Sequence, residues 1–341
     1  MIRGRLSLTS PAIAASSLLL LLSCSDGGGP SDPPDPLNLS VVVRVDSSEF
    51  RSEGEFELGL IPFDRTGSTF LNDDWTITPV VSDPTTVEFS VAGSGLQPAD
   101  TQPVATAVLI DDSGSMRFSD PDRLRAFAAQ RFWEEVLPGR PDNVVALLDF
   151  GRGDAEPTPG FTRTTVLAGF TEDPAVLEAA LPQVQAVPGG ATPLYQSGLE
   201  VLRWIDSTIP STYQRTLLVI TDGAPSDTDS VAQILYDEAQ ALRVRVFAVG
   251  VGAAGEDNPP SEAAQRLLEL AVQTGGIYGA GEPPTRLQPI LQTLAQSTSP
   301  ERLAVRIRLS PAPARGTRIR GTVGLEGERG AISAPWTFVA P

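Results

Sequence analysis

The chain has 341 residues, 41% of them hydrophobic, a length and composition that suit about two soluble domains with cores of their own. All 25 basic residues are arginine, set against 42 acids, so the net charge is -17, and there is no histidine and no lysine. This balance argues against electrostatic binding to nucleic acid; it also excludes histidine-based triads, His-Glu-x-x-His zinc sites, Walker phosphate loops, kinase chemistry and Schiff bases. What remains is the chemistry of carboxylates, hydroxyls and the backbone.

The first stretch, "MIRGRLSLTSPAIAASSLLLLLSC", pairs a basic leader at Arg3 and Arg5 with an apolar segment from Pro11 to Leu22. That segment is shorter than the roughly 20 apolar residues a spanning helix needs, and the pattern is that of an export signal over residues 1–23. "LLSC" resembles a bacterial lipobox, which predicts that Cys24, the single cysteine, is acylated and becomes the mature N-terminus. Losing residues 1–23 removes two arginines and no acid, taking the charge to -19. The expected location is the cell envelope, facing the periplasm or the exterior. Because Ser25 rather than Asp follows the cysteine, a Gram-negative cell would place it in the outer membrane. Residues 24–38 are mostly Gly, Pro, Ser and Asp and read as a flexible tether.

From 39 to 101 the sequence alternates apolar and polar residues in short runs, "LSVVVRV", "FELGLI", "WTITPVV" and "VEFSVAG", broken by turn clusters. These predict about four antiparallel strands of sandwich type. Residues 301–341 add three more, "LAVRIRL", "TRIRGTVGL" and "WTFVA". Each set is too small for an independent sandwich, so the two are expected to complete one immunoglobulin-like domain. Between them, residues 102–300 alternate strand and helix. "VATAVLI", "NVVALLDF", "RTLLVI" and "VRVFAVGVG" read as buried strands; "PDRLRAFAAQRFWEEVL", "PLYQSGLEVLRWIDS", "VAQILYDEAQAL", "SEAAQRLLELAVQ" and "RLQPILQTLAQS" read as amphipathic helices. The fold class is therefore α/β, an open and mainly parallel sheet flanked by helices.

In such a sheet, ligands gather beyond the carboxyl ends of the strands. "DDSGSM" follows "VATAVLI" there, with Asp111, Ser113 and Ser115 on alternate positions. Asp120 and Pro121 are expected to cap and begin the next helix. "RTLLVI" also ends in an acid, Asp222 of "TDG", and "PGGATPLY" offers Thr192 ahead of a helix. Three loops thus supply two carboxylates and three hydroxyls.

On these residues the segment resembles a von Willebrand factor type A domain with a metal-ion-dependent adhesion site. In that family an Asp-x-Ser-x-Ser loop, a threonine and an aspartate hold one divalent cation, and the matching positions are Asp111, Ser113, Ser115, Thr192 and Asp222. The resemblance covers roughly 104–299 and implies one antiparallel edge strand. Oxygen donors without sulfur or imidazole suit magnesium, with manganese or calcium as alternatives. The resemblance also implies that a partner protein's Asp or Glu carboxylate completes the coordination.

Other features carry simpler readings. Asp112 is expected to be solvated or paired with an arginine, and "GRGD" at 151–154 to form the turn between two strands. Trp133 and Trp204 read as core residues, and "DNPPSE" as the lead into a helix starting near Ser261. For function, a lipid-anchored protein-binding or adhesion module stands against a carboxylate-dependent hydrolase or a metal-stabilised structural component of the envelope. A phosphoaspartate hydrolase needs a second aspartate two residues after the first, where this chain has Ser113, and generally a lysine. The expectation is a binding protein with no enzymatic activity.

Overall fold

A computed structural model describes residues 37–45, 47–64, 68–97, 102–152, 156–184, 190–223, 225–255, 261–281, 291 and 302–340. The leader, Cys24 and residues 25–36 lie outside these, as does the helix expected over 286–297 apart from Leu291. Among the described residues no helix is long and apolar enough to cross a membrane.

The α/β part is a six-stranded sheet. Its strands are β5 (Val104–Asp111), β6 (Val144–Phe150), β7 (Thr164–Thr171), β8 (Gln214–Thr221), β9 (Val244–Gly250) and β10 (Tyr278–Ala280). They lie in the order β10-β9-β8-β5-β6-β7. All pairs are parallel except β6 with β7, so the one antiparallel strand stands at an edge. Burial explains the sequence pattern: β5 is buried along its whole length, and apart from Thr106 and the terminal Asp111 it is apolar. β7 is mostly half-buried, as an edge strand should be.

The helices pack in two groups, α3 (Leu124–Val136) with α4 (Pro174–Ala180), and α5 (Leu194–Thr208) with α6 (Asp229–Leu242) and α7 (Glu262–Gln273). On α5 the buried set Leu194, Leu199, Val201, Leu202 and Ile205 forms one stripe. At Gly198 a Cβ would stand 2.5 Å from Leu235 Cδ1 of α6, so a larger residue there would push that leucine side chain aside. Ser261 caps α7 by accepting from Ala264 N at 3.0 Å. Trp133 is fully buried, and the half-buried Trp204 stacks on Phe170.

The flanks form two antiparallel sheets. β1 (Asn38–Arg44), β2 (Glu55–Phe63), β11 (Arg302–Ser310) and β4 (Glu88–Gln97) lie in that order; β13 (Gly330–Val339), β12 (Arg318–Gly327) and β3 (Thr76–Asp83) make the second sheet. β11 therefore stands between β2 and β4, and β12 between β3 and β13, so both sheets join the two ends of the described chain. They share a core that includes Leu58, Leu60, Val305, Ile307, Ile319, Val323 and Trp336. A short helix, α1 (Ser47–Glu53), interrupts the first two strands where the sequence predicted none, held by the buried Phe50.

Candidate metal centre

The site is built by strand ends that cannot move independently. Beyond the buried β5, Asp112 N donates to Phe150 O at 2.8 Å, which keeps the first loop in step with the end of β6. Ser113 N donates to Asp111 Oδ1 at 2.8 Å, and Thr221 Oγ1 of β8 donates to Asp111 Oδ2 at 2.6 Å. The Ser113 and Ser115 hydroxyls are 3.0 Å apart, and Ser115 Oγ donates to Asp222 Oδ1 at 2.9 Å. Ser119 at the end of α2 (Met116–Ser119) donates to the other Asp222 oxygen. Asp111, Ser113, Ser115 and Asp222 thus form one hydrogen-bonded chain across two loops.

Thr192 stands at its margin. Its Oγ1 lies 3.5 Å from where a Cβ on Gly223 would be, beside the Asp222 turn, and makes no hydrogen bond to the other four. Its loop is tied down instead by backbone and caps. Thr192 O accepts from Leu194 N at 2.8 Å and Ser226 N at 2.9 Å, and Asp227 Oδ2 accepts from Tyr195 N at 2.6 Å at the start of α5. The loop after β8 therefore caps the helix that carries the Thr192 loop. Gly151 lies against both the Asp111 loop and the Thr192 loop. It has φ of 85°, and a Cβ there would meet Ala191 O at 2.9 Å and Ser113 Cβ at 3.1 Å. It opens the connection from β6 to β7, the turn read from "GRGD"; Asp154 lies outside the described residues.

Five buried acids crowd this end of the sheet, and they divide into two classes; Asp149 of β6 has Arg152 at 3.3 Å. Asp112 and Asp120 share Arg125, with Nη2 2.9 Å from Asp112 Oδ1 and Nη1 2.9 Å from Asp120 Oδ2, all three side chains having no exposure. Asp120 also caps α3, accepting from Leu124 N at 2.8 Å and Arg125 N at 3.0 Å. The helix starts at Leu124, not at Pro121, because Arg123 adopts the left-handed conformation before it. Asp111 and Asp222 are also buried, at 0% and 6% exposure, yet no arginine among the described residues pairs with either. Burial raises the Asp111 carboxyl from 3.8 to about 6, against hydrogen bonds from Thr221 and Ser113, and the Asp222 charge adds to the rise.

The donor set fits a hard divalent cation: two carboxylates without a counter-charge, with hydroxyls converging on them and no sulfur or imidazole. Among the described residues no three Asp, Glu, Cys or His side chains gather as a metal site, so hydroxyls must complete any coordination here. Sequence reading missed Thr221, Ser119 and Arg125. Ser119 stands four residues after Ser115, where a helical turn brings side chains to one face, and Thr221 directly precedes Asp222 at the strand end.

With this geometry in view, comparison with known proteins places the segment. Residues 106–224 match the family model described as von Willebrand factor type A domain. That match covers the loops that build the site, and the α/β sheet with its helices has a fold of this type. No curated protein matches the chain. Among solved structures, an aerotolerance-related membrane protein from Bacteroides fragilis is similar at 18% identity and a TM-score of 0.42, over 57% of this chain and 98% of that one. Manganese-loaded TRAP from Plasmodium vivax is similar at 12% identity and 0.40, over 76% and 98%. The pilus adhesin SpaC from Lactobacillus rhamnosus GG is similar at 11% identity and 0.42, over 90% of this chain but 48% of its own length.

Proposed function

We propose that Asp111, Ser113, Ser115, Thr192 and Asp222 hold one divalent cation, magnesium by preference, and that the filled site captures an Asp or Glu carboxylate of a partner protein. The observation that carries this reading is the pair of buried acids, Asp111 and Asp222, left without arginine beside acids that have one. When bound, the cation supplies a hard Lewis-acidic position that an outside carboxylate can occupy. The chain's own part is orientation. Thr221 and the Ser113 amide fix the Asp111 carboxylate, Ser119 fixes Asp222, and the two serine hydroxyls point between them. The protein acts as a binding module and not as an enzyme.

The same reading makes the two antiparallel sheets an immunoglobulin-like sandwich into which the α/β domain is inserted, and Cys24 a lipid-bearing N-terminus that tethers both to the envelope. Fatty-acid labelling that survives Cys24→Ala would rule the anchor out. For the site, magnesium or manganese at about 100 times its dissociation constant should stabilise the chain by about 2.7 kcal/mol, on the order of 5 to 10 °C in melting temperature. Asp111→Ala should abolish the shift. Capture of envelope proteins should require the cation and be lost in EDTA. No melting shift with magnesium, manganese or calcium, together with unchanged capture in EDTA, would sink the proposal.

A further inference from the structure

At the opposite end of the parallel strands lies a cavity of about 710 Å³, within the range of small-ligand sites. It is lined by the starts of β8 and β9, the ends of α6 and α7, and strands β1, β2, β11, β12 and β13. β8 has eight residues between this cavity and Asp222, so the two sites are about 25 Å apart. Seven arginines and four carboxylates line it, a surplus of three positive charges in a chain whose net charge is -17.

Pairing leaves part of that surplus uncommitted. Arg302 lies 3.3 Å from Glu57, Arg215 2.7 Å from Asp206 and Arg318 4.0 Å from Asp237. Arg215 and Arg302 are nearly buried, at 8% and 11% side-chain exposure, so they cannot turn out to solvent. Arg243 and Arg306 have no carboxylate partner among the described residues, and Arg243 donates only to Val45 O at 3.4 Å. Arg243 is moreover a C-cap residue held at φ of 55°, a left-handed position where glycine or asparagine is favoured. Trp336, 4% exposed, also lines the cavity, so its fluorescence can report on occupancy. Guanidinium groups present planar forks that match carboxylate and phosphate oxygens.

We propose that this cavity is a second binding site, for a small, multiply charged oxyanion bearing phosphate or carboxylate groups. Arg243 and Arg306 supply the free forks. The test uses the full chain, with tripolyphosphate and citrate as separate probes followed by calorimetry and tryptophan fluorescence at low salt. One probe should bind saturably with one site per chain, and which of them binds assigns the ligand to phosphate or carboxylate. Arg243→Ala with Arg306→Ala should weaken binding at least tenfold while leaving the melting temperature of the ligand-free chain unchanged, since both side chains are exposed. Asp111→Ala should bind normally, which separates this site from the proposed metal centre and from chelation of a cation by the probes. Absence of saturable binding by both probes, full affinity in the double variant, or an equal effect of sodium chloride at matched ionic strength would overturn the proposal.

Discussion

Replacing Arg125 by methionine tests whether the first loop is held by its buried ion pairs. The guanidinium contacts two carboxylates at 2.9 Å each, and neither acid nor arginine has any exposure. Its Nε also donates to Asp111 O at 3.2 Å, fixing the backbone where the candidate site begins. Removing one partner of a buried pair costs about 3–5 kcal/mol because a charge is left uncompensated. Here one deletion strands two charges, so the upper figure applies, about 5 kcal/mol out of the ~5–15 that a native chain has in all. At ~2–4 °C per kcal/mol for a domain of this size, Arg125→Met should lower the melting temperature by about 10–20 °C. Adding Asp112→Asn and Asp120→Asn removes the stranded charges, and the second of these amides would retain the oxygen that caps α3. The triple variant should therefore recover at least half the loss. Urea denaturation of the parent, the single variant and the triple variant measures both steps. If Arg125→Met unfolds within about 1 kcal/mol of the parent, or the amides recover nothing, the ion-pair account of this loop is wrong.

Without divalent metal, Asp111 keeps its proton to about pH 6 when folded but to only about 3.8 when unfolded. The folded state then binds the extra proton between those values, so stability falls as pH rises from about 4 to about 6, by about 3 kcal/mol at most. Melts in EDTA should show this fall relative to Asp111→Asn, and a rise across that window would contradict it. Gly151→Ala forces a left-handed alanine against Ala191 O and Ser113 Cβ, so it should cost about 1–3 kcal/mol and shrink the magnesium-induced melting shift; an unchanged shift would show that the side contact does not position the loop. A fragment of residues 103–300 should fold alone, whereas 39–101 should not, because β2 and β4 are separated in their sheet by β11. A cooperative transition from the 39–101 fragment would count against this.

The central strands were legible because a buried parallel strand needs a compact apolar segment: β5 carries "AVLI" up to Asp111, and β8 carries "LLVI" just before Thr221 and Asp222. The alternation of Asp111, Ser113 and Ser115 was equally legible, since a chain leaving a strand end displays every second side chain to one side. The start of α3 was misread. Asp-Pro is a good local signal for a helix at Pro121, but the Asp120 carboxylate is drawn to Arg125 as well as to the helix amides, and the helix begins three residues later. Helix α1 depends on Phe50 reaching a core formed by strands far along the sequence, which no local pattern records. The same holds for Thr221, whose hydroxyl matters only because β8 lies beside β5.

The residue types the chain lacks shape how its acids can be neutralised. Arginine stays protonated at every accessible pH, so a buried acid paired with Arg125 is neutralised permanently, and Asp112 and Asp120 are structural for that reason. With no histidine or lysine, the protein has no side-chain cation that could titrate near neutrality and release a carboxylate on demand. A buried acid that must bind and release a positive charge can then only be left without an arginine. Asp111 and Asp222 are the acids so left at the carboxyl ends of β5 and β8, held by hydroxyls from Thr221, Ser115 and Ser119. Hydroxyls can orient a carboxylate without cancelling its charge, which is the condition for an exchangeable cation to be the neutralising partner.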